Sequence, residues 1–160
     1  MSSEHGGLCH CIQRLQGVGM NQEIKALSPP QAYEFLKENQ GAVLIDVRSS
    51  MEFLFVGHAM GSVHVPWIDE PDWVVNSDFI TEVRKVMLGG IGVGEHEGDA
   101  PVVLICRSGK RSLEAGKLLL NNGFSEVYNV SEGFEGVLDE THHRSTIGGW
   151  RFHGLPWEQC

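Results

Sequence analysis

VVLICRSGKRSLEAG, residues 102–116, begins as an apolar run of strand length and ends in a helical pattern. Between the two, the six positions from Cys106 to Arg111 hold one cysteine, three basic residues and a glycine. A short buried strand leading directly into a helix is the repeating unit of a parallel α/β sheet. Cys106 falls at the carboxyl end of that strand, where open sheets of this kind bind their ligands.

The position matters chemically. The unpaired amides and the dipole of a helix's first turn favour negative charge, and a thiolate is negative charge. Arg107, Lys110 and Arg111 act in the same direction. Gly109 permits backbone angles that bulkier residues resist, so successive amides can turn inward as an anion nest. Ser108 and Ser112 add short hydroxyl donors. Free cysteine is often an inert core residue, but a core position has no use for three adjacent cations. Cys106 therefore reads as a nucleophile.

Working outward, EIKAL (23–27) suits a short strand. Ser28 caps a helix whose first turn holds Pro29 and Pro30, where a missing amide donor does little harm. AVLIDV (42–47) is a continuous apolar run, as expected of a strand buried on both faces. SMEFLFVGH suggests a short helix, and SVHVP (62–66) a strand stopped by Pro66. NSDFITEVRKVML (76–88) is amphipathic, and the glycine-rich, acidic stretch that follows reads as a surface loop. After the central cysteine, SLEAGKLLLNNG is a helix ending at Gly123, and EVYNV (126–130) is the last strand. This alternation predicts a three-layer α/β fold: a mainly parallel, five-stranded sheet with helices on both faces. Residues 1–20 read as a flexible N-terminal extension, and residues 21–160 as one domain.

The chain has 160 residues, 41% of them hydrophobic and 21% charged, with a formal net charge of −9. Such a balance fits a globular domain and argues against nucleic-acid binding or adhesion to anionic membranes. No apolar run reaches the length of a membrane span, and the first twenty residues lack a secretory pattern. Four scattered cysteines do not make a disulfide framework, so the expected compartment is the reducing cytoplasm.

The loop CRSGKRS resembles the active-site pattern of single-domain rhodaneses, thiosulfate sulfurtransferases, which runs C-R-S-G-x-R-S/T. LIDVRSSMEFLFVGHAMGSVHVP resembles the family's earlier D-V-R and G-H signature. VYNVSEGFEG and GWRFHGLPW resemble its late strand and closing segment. Residues 24–157 carry these motifs in the expected order; Ser62, Ala59 and Met60 depart from it in a structural turn. The resemblance implies a rhodanese-like fold and a Cys106 that accepts sulfane sulfur from a donor such as thiosulfate. The sulfur is then held as a persulfide and passed to cyanide, a low-molecular-weight thiol or an acceptor protein. It also implies that Arg107, Ser108, Gly109, Lys110, Arg111 and Ser112 form the anion-binding loop; no cofactor or metal is expected. Related cysteine-dependent phosphatases and arsenate reductases have the spacing C-x5-R. Here four residues separate Cys106 from Arg111, a shorter cradle that the resemblance associates with sulfur. A sulfur-relay or sensing module that works by docking a partner uses the same loop and remains an alternative.

Asp46, Arg48 and His58 are supporting candidates. Asp46 and Arg48 suit an ion pair that fixes loop geometry better than a role in orienting substrate, and Arg48 and Glu52 lie i to i+4, the spacing of a helical salt bridge. His58 suits structural hydrogen bonding, because transfer from a thiolate needs no general base. Cys9, His10 and Cys11 lack the usual zinc spacing, and adjacent His142 and His143 point apart. Cys160 is expected at the surface.

Overall fold

The computed structural model describes residues 23–89 and 100–160. The extension, with its Cys9, His10 and Cys11, and nearly all of the glycine-rich loop lie outside the described residues.

The elements in chain order are β1 (Lys25–Leu27), α1 (Pro29–Glu38), β2 (Val43–Asp46), a π-helical turn (Glu52–Val56), β3 (His58–Ala59) and β4 (Val63–His64). They are followed by α2 (Phe79–Gly89), β5 (Val102–Ile105), α3 (Lys110–Asn121), β6 (Val127–Val130) and β7 (Trp157–Glu158). Ser28 caps α1 as expected: its hydroxyl accepts from the Gln31 amide, and the Gln31 side chain accepts from the Ser28 amide. That reciprocal capping box satisfies two orphan donors.

Five strands form one sheet in the order β1-β6-β5-β2-β4, and every neighbouring pair is parallel. On one face Ile45, Val47, Val102, Leu104 and Val127 pack with Phe79 and Val83 of α2 and Ala115 and Leu119 of α3. On the other, Leu44, Val103, Ile105 and Val130 meet Ala32 of α1 and Phe134 and Trp150 of the C-terminal segment. The result is a three-layer α/β fold with β5 at the centre. Both faces of the middle strands are covered, which is why they read as unbroken apolar runs. A separate two-stranded antiparallel ribbon, β3 with β7, has no counterpart in the sequence expectations. Two-residue strands leave no period to detect.

Asp46 and Arg48 are both fully buried beside the carboxyl end of β2. The Arg48 guanidinium donates to both Asp46 oxygens through Nε and Nη2, and Nη2 also donates to the Gly57 carbonyl. Its cation lies 4.4 Å from the Phe134 ring centre. The expected Arg48–Glu52 bridge does not form. Residues 52–56 wind as a π turn rather than an α-helix, and the competing partner, Asp46, holds the guanidinium in the core. His58 is structural: it stacks on Phe53 at 3.8 Å, places Nδ1 3.0 Å from the Phe53 carbonyl, and sets Nε2 3.3 Å from Glu158 of β7.

Breaking a buried pair by removing one partner strands the other charge, at a cost of about 3–5 kcal/mol. Arg48→Met is expected to lower stability by that order, as read by urea denaturation. A loss no larger than that of a surface substitution would show that the pair contributes little.

Candidate active site

The chain leaves β5 at Ile105 and enters α3 at Lys110, and the turn between them wraps around one sulfur. The Gly109 amide donates to Cys106 Sγ at 3.1 Å, and the Ser112 hydroxyl lies 3.2 Å from it. Both Cys106 and Ser112 are buried. The backbone achieves this because its carbonyls are drawn the other way. The Phe134 amide donates to the Cys106 carbonyl at 2.7 Å, and the amides of Glu135 and Gly136 donate to that of Arg107. With those carbonyls bound behind the loop, the Gly109 amide is left facing the sulfur, as one donor of an anion nest would.

Two glycines are dictated by space. Gly109 has φ +88°, and a Cβ there would sit 2.2 Å from the Ser131 carbonyl oxygen. Gly133 has φ +68°, and its Cβ would lie 2.5 Å from the Cys106 carbonyl oxygen. The turn after β6 thus presses directly on the loop, backbone against backbone.

Arg111 forms a two-pronged pair with Glu52 of the π turn, at 2.7 and 2.8 Å. Burial pushes the Glu52 carboxyl up, but the Arg111 hydrogen bonds and charge, with the Ser49 amide, outweigh it and leave it below its ordinary range. Glu52 in turn raises Arg111, overcoming burial, with further help from Cys106 and Asp46. Arg107 and Lys110 are exposed and carry no ion pair among the described residues. Of the three cations, therefore, one is locked and partly neutralised while two face solvent.

A cavity of about 480 Å³ opens against this loop, with Arg107 and Arg111 on one side and Met51, Ile68 and Trp73 on the other. Lys110 and Cys106 are not part of its wall; Cys106 is 1% exposed. The apolar side is pinned by Asp69, which accepts from the amide and hydroxyl of Ser50. Burial raises the Asp69 carboxyl, but bonds from Glu70 and Ser50 hold it at about 2. A smaller cavity, about 220 Å³ between Arg84, Met87 and Phe124, lies by the amino ends of β5 and β6, far from any nucleophile.

Asn129 of β6 belongs to the site and was not among the residues singled out from the sequence. It is 5% exposed, and its side chain bonds both Ser112 and Gly109. Its one signal is an amide at a strand position that alternation assigns, with Val127, to the apolar face under α3. Buried polar groups in such places are there to be hydrogen-bonded. His142 and His143 lie in an exposed turn built on Asp139, and among the described residues no cluster of three or more metal-ligating side chains occurs. Cys160 is exposed.

A parallel sheet whose central strand leads into a cysteine cradled by the turn before the next helix points to a class of protein, the rhodanese-like domains. Residues 28–140 match the model of the Rhodanese-like domain, and the chain belongs to that family. It is 33% identical over 113 residues to the thiosulfate sulfurtransferase GlpE of Pseudomonas putida, covering 71% of this chain and 84% of that one. It is 29% identical over 141 residues to an uncharacterised protein of Rickettsia conorii, covering 84% and 98%. The crystal structure of Rv0390 from M. tuberculosis superposes with a TM-score of 0.72 at 37% identity, covering 86% of this chain and 99% of that one.

Two outcomes follow from the geometry. Gly109→Ala forces an L-residue into the left-handed region, a loss of at least about 1–2 kcal/mol before the clash with Ser131 is counted. Thermal melting should show that loss together with a misshapen loop and slowed Cys106 alkylation; an unchanged alkylation rate would exclude a role for the turn in shaping the nest. The second outcome concerns Glu52. A carboxyl held below its ordinary value of 4.5 stabilises the fold above that pH, and the contribution is lost as pH falls through the lower native value. The urea-midpoint difference between wild type and Glu52→Gln is therefore expected at pH 7 and should shrink progressively in acid below pH 4.5.

Proposed function

We propose that the protein is a sulfurtransferase that carries sulfane sulfur on Cys106 as a persulfide. The observation that carries this reading is the pair of donors on one sulfur, the Gly109 amide and the Ser112 hydroxyl. They sit in a loop with only four residues between Cys106 and Arg111. A nest of that size suits a thiolate and then the outer sulfur of a persulfide.

In the first step the Cys106 thiolate attacks the outer sulfur of thiosulfate. A new S–S bond forms, the S–S bond of the donor breaks, and sulfite leaves with the electron pair. Cys106 then carries an anionic terminal sulfur that the inward amides hold. In the second step an acceptor nucleophile, cyanide or a thiolate, attacks that terminal sulfur. The Cys106–S bond breaks, the product leaves with the transferred sulfur, and the thiolate is restored. No cofactor enters either step. Arg107, the unpaired cation on the cavity wall, draws in the dianion; Arg111 with Glu52 holds the loop; Asp46, Arg48 and His58 hold the ground beneath it. A nucleophilic thiol works in its reduced form, which supports a cytoplasmic location, and the net charge of −9 weighs against nucleic acid or an anionic membrane as partner.

The cavity favours an acceptor with an organic body over cyanide alone. Met51 and Trp73 on its wall are more than half exposed, as are neighbouring Phe55 and Val74. The same rim favours a second reading, relay of sulfur to a protein acceptor.

Intact mass spectrometry after incubation with thiosulfate is expected to show a reducible gain of one sulfur atom, absent from Cys106→Ser. Retention of the adduct and of thiosulfate-to-cyanide activity by that variant would sink the assignment. Loss of one nearby charge in water is worth about a fivefold change. Arg107→Ala should thus lower kcat/KM for thiosulfate by about that factor and leave an uncharged organic persulfide donor little affected. Equal losses on both donors would rule out steering by Arg107.

A further inference from the structure

Three polar groups behind the nucleophile share too few protons. Ser112 Oγ lies 3.2 Å from Cys106 Sγ and 2.6 Å from Asn129 Oδ1. The Asn129 amide is oriented without ambiguity: its Nδ2 donates to the Gly109 carbonyl at 3.0 Å, so the atom facing Ser112 is the carbonyl oxygen. That oxygen only accepts, and a serine hydroxyl has one proton to give. When Sγ bears a proton, the chain is S–H to Oγ and O–H to Oδ1, and every group is satisfied. When Sγ is a thiolate, it competes with Oδ1 for the single Ser112 proton.

We propose that Asn129 is a positioning residue that acts on Cys106 through Ser112, holding the hydroxyl proton while Sγ is uncharged and yielding it when Sγ is a thiolate. The proposal rests on Cys106 being the sulfur-transfer nucleophile and deepens that reading. Persulfide formation moves the charge one sulfur outward and turns Sγ into a neutral, weak acceptor, so the Ser112 proton returns to Asn129. The hydroxyl rotates once in each half-cycle; no bond to it is made or broken. Asn129 also grips the Gly109 carbonyl, so it is fastened to the residue whose own amide faces the sulfur. Burial keeps water from replacing either partner. Charged groups around the sulfur are already engaged or distant from this chain: Arg111 with Glu52, Asp46 with Arg48, and Glu135 with Arg151, while Glu132 binds His153 and the Gly149 amide. Arg107 and Lys110 face solvent.

The test uses the whole protein. In wild type, the ¹³Cγ resonance of Asn129 is expected to move with pH, with the same midpoint as the pH–rate profile for Cys106 alkylation by iodoacetamide. It should return to its low-pH position once thiosulfate has loaded the persulfide, and it should stay flat in Ser112→Ala. Asn129→Leu removes the competing acceptor, so the alkylation midpoint should fall. The rate below that midpoint should then rise about twofold to tenfold, the value of one net hydrogen bond. In the Ser112→Ala background only the bond to the Gly109 carbonyl is left to lose, and the same substitution should not lower the midpoint. A wild-type resonance that does not titrate, or a fall in midpoint on Asn129→Leu that persists without Ser112, overturns the proposal. If the resonance titrates but thiosulfate adds no sulfur, the sulfurtransferase reading fails while the Ser112–Asn129 coupling stands.

Discussion

Everything at this site depends on one turn presenting a backbone amide, that of Gly109, to a sulfur. A turn has as many carbonyls as amides, and the carbonyls must go somewhere if they are not to repel a thiolate. Here those of Cys106 and Arg107 go to the amides of Phe134, Glu135 and Gly136, and that of Gly109 to the Asn129 side chain. That contact requires two backbones to pass within van der Waals distance, which is why Gly109 and Gly133 have positive φ and no room for a Cβ. The surroundings of Cys106 are therefore set as much by the chain after β6 as by its own loop.

The rest of the fold can be understood as support for that contact. Parallel pairing of β2, β5 and β6 brings Asp46, Cys106 and Asn129 to one edge of the sheet. The buried Asp46–Arg48 pair braces the neighbouring strand end and reaches the Gly57 carbonyl. His58 and Glu158 tie the C-terminus to the same region through the β3–β7 ribbon. Buried ion pairs are weak sources of net stability, so a pair retained in this place is better explained by geometry than by energy.

Charge at the loop divides into two roles that its sequence runs together. Arg111 is half-buried and answers to Glu52, which arrives from an element fifty-nine residues earlier. Arg107 stands on the cavity wall and Lys110 outside it. Sharing a helix start does not make three cations equivalent, because each side chain leaves the turn in a different direction.

The sequence alone determined the layer architecture, the sheet's parallel sense, the Ser28 cap and the placing of a cysteine between the central strand and a helix. These are local or periodic properties: an apolar run of strand length, a capping box, a glycine beside cations at a strand end. It pointed correctly to Asp46 with Arg48 as partners, since both flank one strand terminus. Tertiary structure decided that Glu52 binds Arg111 rather than Arg48, that β3 pairs with β7, and that Asn129 stands behind Ser112. Each joins residues far apart in the chain, and hydrogen bonds between such residues leave no period or spacing to detect. A lone amide in an apolar strand shows that something polar is buried there; only the packed sheet shows that its partner is the serine beside the sulfur.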